Sequence, residues 1–169
     1  MDDEGQPARP AGLIRNGAVA GILSDLHCAQ RTGRRSSGHG RRSSYREPVL
    51  PRMGCTFIAA GHYRPEQLLE DVEDGIYVRR MEAASTDPWT GHAVFRVTDA
   101  DRIHRGRITF ALLPHVLRVD GKETLVGIDR IADDLTFDTC VGSCVRDGQP
   151  LSISVGAPTI RTGLISVSS

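Results

Sequence analysis

The sequence predicts an α+β fold, predominantly antiparallel β with two or three short helices. Three observations carry that reading. From Gly91 onward the chain turns strongly to short β-branched and aromatic runs such as His92-Ala93-Val94-Phe95-Arg96-Val97. Turn signals separate these runs, Asn16-Gly17 and Arg105-Gly106 among them. Helical patterns are few and short, one after Ser24 and one after Pro65.

Taken in order, residues 1–12 carry three acids, two prolines and two glycines and read as an extended leading segment. Leu13 to Val19 is a hairpin, because Asn16-Gly17 supplies the two positive-φ residues of a type I′ turn. Its second strand is expected to run through Ile22 and Leu23. Ser24 can cap a helix through Gln30 that stops at Gly33. Residues 33–54 have no hydrophobic period and read as loop, rich in Arg, Ser and Gly. Cys55 to Ala60 is a strand. Pro65 then opens a helix with Leu68, Leu69 and Val72 on one face and Gly75 past its end. Ile76-Tyr77-Val78 resumes β structure, followed by Arg102-Ile103-His104 and, after the Arg105-Gly106 turn, Ile108-Thr109-Phe110. Leu125, Ile128 and Ile131, after Gly121, fit a second short helix. The tail from Ile153 to Val167 alternates apolar with small or polar residues, bent at Gly156, Pro158 and Gly163.

The 169 residues suffice for one domain with a core, and two are not expected. Acids and bases balance at 21 each, so no net field calls for nucleic acid or a membrane surface. Only Lys122 among the basic residues is a lysine, and arginines crowd between Arg31 and Arg46. No apolar run approaches the roughly 20 residues of a transmembrane helix. The acidic start is unlike a secretory signal, and four scattered cysteines are unlike a secreted disulfide framework, so a cytoplasmic protein is expected.

The chemistry centres on Thr139 to Pro150, where Cys140 and Cys144 lie among glycines. A thiolate is a soft ligand and a strong nucleophile. Two cysteines do not complete a zinc site, and two small apolar core residues would give the same local sequence. The arginine loop, Gly33 to Arg46, suits phosphate or RNA, or a solvated or substrate-facing surface; Tyr45 alone interleaves its arginines. Six histidines show no paired metal spacing, and His39 reads as a hydrogen-bonding loop residue. Glu70-Asp71 and Glu73-Asp74 read as a solvated helix face, and Asp133-Asp134 as a pair able to face a hard cation without a calcium loop around it.

Several segments, met in order along the chain, resemble one family, the TldD/PmbA metallopeptidases once labelled modulators of DNA gyrase, in their TldD-like branch. They are Asp2-Asp3-Glu4-Gly5, Asn16-Gly17, Ser37-Gly38-His39-Gly40-Arg41-Arg42, Pro51-Arg52-Met53, Gly75-Ile76-Tyr77-Val78, Thr90-Gly91, Cys144 to Gln149, and Gly156-Ala157-Pro158-Thr159. The resemblance implies a zinc-dependent peptidase whose metal is held by two histidines of an H-E-x-x-x-H helix and one later cysteine. By motif that cysteine is Cys144, not Cys140. The chain has no H-E-x-x-x-H, and it begins where the family's C-terminal domain begins. It thus lacks the two histidines and the glutamate that activates water. The family usually carries Asn and Thr near Gly54-Cys55 and a glycine-rich stretch where this chain reads Met81-Glu82-Ala83-Ala84-Ser85.

Residues 1–169 are therefore expected to be a single TldD/PmbA-type C-terminal domain, a fragment or stand-alone half, inactive alone. The whole enzyme would cut extended or unfolded peptides. No catalytic residue lies in this chain; Cys144 would be a metal ligand, and Gly40, Arg41 and Arg42 would line the substrate entrance. Zinc would bind only with the missing histidines. The partner would be an N-terminal half or family subunit, in a homo- or heterodimer. The rivals are a non-enzymatic module pairing with a histidine-bearing subunit, and an RNA-binding domain using the arginine loop.

Overall fold

In the computed structural model, residues 1–138 and 142–163 are described in full and 166–168 by their backbone. In chain order the elements are β1 (Ile14–Arg15), β2 (Ala18–Val19), α1 (Leu26–Thr32), β3 (Gly40–Arg41), β4 (Leu50–Pro51) and β5 (Cys55–Phe57). After a 3-10 turn at Pro65–Leu68 come β6 (Asp74–Thr86), β7 (His92–His104), β8 (Arg107–Ala111), β9 (His115–Asp120) and α2 (Gly121–Val126). The chain closes with β10 (Ile128–Ile131), β11 (Thr136–Phe137), β12 (Gly142–Arg146), β13 (Gln149–Ala157), β14 (Ile160–Thr162) and β15 (Ser166–Ser168). This is the α+β class, mostly antiparallel, that the strand and turn signals predict. Two compact units result: Met1–Ile58 with Thr136–Gly156, and Ala59–Leu135 with Ala157–Ser169.

In the first unit β13 is the hub. It pairs antiparallel with β12, parallel with β5, and also with β11. Phe57 and Phe137 meet edge-to-face with centroids 5.5 Å apart, beside Gly156. A Cβ at Gly156 would collide with the Phe137 ring, so only glycine lets the aromatic pair close there.

The second unit is built on β7, a 13-residue strand. It pairs with β6 along its length, with β9 over His92–Val97 and with β8 over Asp101–His104. Val97, Ala100 and Ile103 are the buried residues of β7, and a register shift between Val97 and Ala100 breaks strict alternation so that these two share one core. Val97, Ala100 and Leu117 form the core, with Ile76, Val78 and Phe95 packed on it. The two units differ in what they bury. Among the described residues, six of the seven buried hydrophobics lie in the second unit, whereas all four buried polar residues (Ser24, Asp25, Arg52 and Gln149) lie in the first.

Several expected elements are shorter or of another kind. The Asn16-Gly17 turn forms with φ of 50° and 73°, but β2 stops at Val19 rather than reaching Leu23. The amides of Ala20 and Gly21 both converge on the Leu13 carbonyl, which ends the ladder. The cap of α1 is Asp25, whose carboxylate accepts from Cys28 N at 2.7 Å. Ser24 cannot serve, because it is tied to Ser37 in both directions, N to Oγ at 2.7 Å and Oγ from N at 3.0 Å. Pro65 opens only a 3-10 turn. A helix through Val72 would need the Gln67 and Leu68 carbonyls for the amides of Asp71 and Val72, but these carbonyls accept from Arg130 and Arg161, Val72 N turns to the Leu69 carbonyl, and Gly75 lies inside β6.

The acids after Leu69 are not merely a solvated face. Asp71 bonds Arg130 at 2.7 Å and also Arg161, Asp74 bonds Arg102, and Glu73 faces Arg105 at 3.3 Å. Ile128 and Ile131 belong to β10, whose partner β14 draws them out of the helix begun at Gly121. Met81 to Ser85 continue β6 without a turn.

Val97 is fully buried at the centre of its sheet. Val97→Ala is expected to lower stability by about 2 kcal/mol, from lost transfer energy plus the cavity left behind. Denaturant unfolding followed by circular dichroism should show a lower midpoint with an unchanged slope.

Candidate functional site

Cys144 sits in the middle of β12, opposite Leu151 of β13, with its residue half-buried. The hairpin closes at Asp147-Gly148, with φ of 50° and 76°. This is the Asp-Gly type I′ turn whose twist matches paired strands. Cys140 lies outside the described residues. Cys28, Cys55 and Cys144 are free thiols. Cys28 lies on α1, where a side-chain hydrogen bond to Asp25, then desolvation, raise its thiol pKa. Cys55 lies exposed on β5.

The arginine-rich loop is fastened to this hairpin by hydrogen bonds to backbone groups. Arg52 is 1% exposed, and its Nη2 donates to the carbonyls of Cys144 and Gln149, the second at 2.9 Å. Its Nε and Nη1 are buried and have no hydrogen-bond partner among the described residues. In the opposite sense Arg146 Nη1 donates to the Pro51 carbonyl at 3.0 Å. The buried Gln149 side chain donates to the Pro48 carbonyl at 3.1 Å and accepts from Ser43 N at 3.0 Å. Arg41 donates through Nη1 to the Met53 carbonyl at 2.6 Å and through Nη2 to that of Ser152 at 3.2 Å.

The acidic leading segment holds the other side of the same loop. Asp2 Oδ2 accepts from Gly40 N at 3.0 Å, and Asp3 N donates to the Gly40 carbonyl at 2.9 Å. Asp3 Oδ2 accepts from Arg42 N at 2.8 Å, while Arg42 Nη1 reaches the Tyr45 carbonyl at 3.4 Å. Gly40 is buried, and Arg41 and Arg42 are half-buried. His39 Nδ1 lies 2.9 Å from the Ser37 carbonyl, so this histidine serves the loop's own turn. The structure thus places Gly40, Arg41 and the backbone of Arg42 in one bonded assembly, with Arg41 reaching the strand that pairs with the Cys144 strand.

Sequence reasoning missed three members of this assembly. Arg52 was visible only as part of Pro51-Arg52-Met53, with no signal that it is buried. The Asp-Gly pair at 147–148 is a hairpin signal in its own right. Asp2 and Asp3 next to a glycine are a turn-forming pattern able to receive amides.

Asp134 does not present itself to a cation. Both its oxygens are taken by Thr159, from N at 2.8 Å and from Oγ1 at 2.7 Å. Desolvation works against its charge, but the Thr159 hydroxyl and amide outweigh it and hold its pKa below the ordinary value.

No group of three or more His, Cys, Asp or Glu side chains that could hold a metal ion occurs among the described residues. Zinc needs three or four protein donors. Cys144, a soft donor on a braced strand, fits as one corner of such a site, and the described residues do not form the site by themselves.

The described residues form a mostly antiparallel α+β domain with Cys144 on a braced hairpin strand. Comparison with known proteins gives this domain its family. A family model described as the PmbA/TldA metallopeptidase C-terminal domain matches residues 1–169. A protein of Haemophilus influenzae named metalloprotease TldD homolog is 32% identical over 167 residues, covering 99% of this chain and 35% of that protein. One of Saccharolobus solfataricus named zinc metalloprotease TldD homolog is 27% identical over 166 residues, covering 98% of this chain and 37% of that protein. The crystal structure of TldE from Thermococcus kodakarensis superposes with a TM-score of 0.79 at 21% identity, over 99% of this chain and 36% of that one, a likeness of fold. The chain belongs to the TldD/PmbA metallopeptidase family and corresponds to its C-terminal domain. It spans about a third of the length of the curated relatives it matches.

The Asp134–Thr159 contact sets a pH signature. A carboxyl with a depressed folded pKa adds stability that is fully present above the unfolded value of about 3.9 and is lost as pH falls through the folded value. Asp134→Asn is therefore expected to destabilise most near pH 7. Its deficit against the parent should shrink as pH falls below the ordinary carboxyl range, as read from unfolding midpoints along a pH series.

Proposed function

We propose that this chain is the C-terminal domain of a zinc-dependent TldD-type peptidase acting on extended or unfolded peptides in the cytoplasm. It supplies Cys144 as one metal ligand and is inactive alone. The observation that supports this most is that Cys144 lies on a hairpin tied from both strands to the arginine loop, while the described residues hold no complete metal site. Zinc, when bound with histidines outside this chain, would supply Lewis-acid activation of a peptide carbonyl and of water. Within this chain the work is to hold a thiolate in place and to shape the approach of the peptide.

Gly40, Arg41 and Arg42 would form part of that approach. Arg41 has its guanidinium on the carbonyls of Met53 and Ser152, so its role there is to stiffen the wall as much as to offer charge. The partner is a TldD/PmbA-type N-terminal half or a family subunit, in a homo- or heterodimer.

The test mixes this chain with a TldD-type N-terminal half and zinc, then follows bound metal and cleavage of an unstructured peptide. The chain alone is expected to lose zinc under mild chelation and to cut nothing, and the mixture to retain zinc and cleave. Cys144→Ser should abolish metal retention and cleavage in the mixture, while Cys140→Ser should act as a modest packing change. Stoichiometric zinc held by the chain alone, or equal losses from both substitutions, would overturn the assignment.

A further inference from the structure

We infer that Arg52 is a positioning residue for Cys144, a buried guanidinium that fixes the peptide plane from which the thiol projects. The inference rests on the reading of Cys144 as a metal ligand only for its consequence at the metal. The mechanical part stands on the geometry.

Arg52 reaches the hairpin through a single nitrogen. Nη2 donates to the carbonyl of Cys144 on β12 and to that of Gln149 on β13, on either side of the Asp147-Gly148 turn. Fixing a carbonyl fixes its peptide plane, and with it the direction in which the adjoining Cβ leaves the strand. The stem of Arg52 is anchored in turn. Its backbone N donates to the His39 carbonyl at 2.9 Å, and the preceding Pro51 lies on β4, paired with Gly40 of β3. Arg146 returns a bond to the Pro51 carbonyl, so the loop and the hairpin are tied in both directions.

Packing alone does not account for an arginine here. The side chain is almost wholly buried, two of its nitrogens lack partners, and no carboxylate pairs with it among the described residues. A buried cation without a counter-ion is destabilising, and an apolar side chain of similar volume would fill the same space without that penalty. What an apolar side chain cannot do is hold two carbonyls at once. Lysine could offer one nitrogen to two carbonyls, but on a shorter stem with a freely rotating ammonium it would hold them less firmly. Metal ligands must be held to within about 0.5 Å of their working position, commonly by groups one layer further out. Arg52 acts in that layer through the main chain, without touching the sulfur.

The experiment uses the full 169-residue chain with Arg52→Met and Arg52→Lys. Alkylation of each thiol is followed by mass spectrometry, with Cys28 on α1 as internal reference, together with amide hydrogen exchange over residues 144–149. Arg52→Met is expected to alkylate Cys144 about tenfold faster relative to Cys28 and to exchange the hairpin amides faster, Arg52→Lys to do both by a smaller factor, with exchange in β6 and β7 unchanged in each. An unchanged Cys144 to Cys28 ratio in a folded variant overturns the inference. If Arg52→Met unfolds, all three described thiols speed up together, and the Arg52→Lys chain then decides by the same ratio.

A second arm uses the zinc-loaded mixture with the N-terminal half. Arg52→Met is expected to weaken zinc 10–100-fold, the usual loss for a group supporting a ligand, while Cys144→Ser removes the site. Unchanged zinc affinity in Arg52→Met beside a lost site in Cys144→Ser would make Arg52 a purely fold-stabilising residue and overturn the inference. Retention of full zinc by Cys144→Ser would instead sink the ligand assignment, leaving the alkylation and exchange ratios to judge the positioning role.

Discussion

Moving a guanidinium out of water costs several kcal/mol unless its donors find acceptors. In the first unit Arg52 meets that demand only partly, through carbonyls of the two hairpin strands. Carbonyls are fixed in the backbone, so satisfying the side chain constrains the main chain of the hairpin. The ladder of β12 with β13 sets the register, and β13 in turn organises β5 and β11. The Cys144 strand is therefore held twice, by its ladder with β13 and by a buried cation bonded to both strands.

The polarity of that unit follows the same logic. Its buried residues are mainly Ser24, Asp25, Arg52 and Gln149, and each is bonded to backbone groups or to another polar side chain. Asp2 and Asp3 add carboxylate acceptors for the amides of Gly40 and Arg42. Such networks are directional, so they specify one arrangement more sharply than apolar contacts do, at the expense of tolerance to change. The second unit is the opposite case. Val97, Ala100 and Leu117 are apolar, and its charges, such as Asp71, Arg130 and Arg161, pair at partly exposed positions. Under the proposed role of Cys144 as a metal ligand, the first unit gains from its kind of construction, since ligand geometry depends on direction.

Local signals carried much of the fold. Asn16-Gly17 forms the turn that its φ preferences favour, Arg105-Gly106 forms one with Arg105 at a φ of 48° that such a residue rarely takes, and the β-rich run after Gly91 became β7 and its neighbours. What failed was any decision settled by distant partners. The residues after Pro65 have a helical face in sequence, yet the Gln67 and Leu68 carbonyls that a helix would need are claimed by Arg130 and Arg161, more than sixty residues on. Ser24 and Asp25 are equally good caps locally, and Ser37, thirteen residues on, decides between them. The site shows the same limit. Cys144 was legible from a motif, whereas the burial of Arg52 depends on acceptors more than ninety residues away, which no window of sequence reveals.

The parallel pairing of β5 with β13 has a consequence for the chain as it emerges from the ribosome. Residues 1–58 are made before residues 136–156, to which the carbonyls that receive Arg52 and the strand that completes β5 belong. Synthesis of the stretch between them takes on the order of 4–15 s at ordinary elongation rates. Throughout that interval residues 1–58 carry an arginine without its acceptors and a strand edge without its neighbour. Such a segment is a natural client for a ribosome-bound chaperone, and slower translation of the intervening stretch lengthens the time it must be shielded.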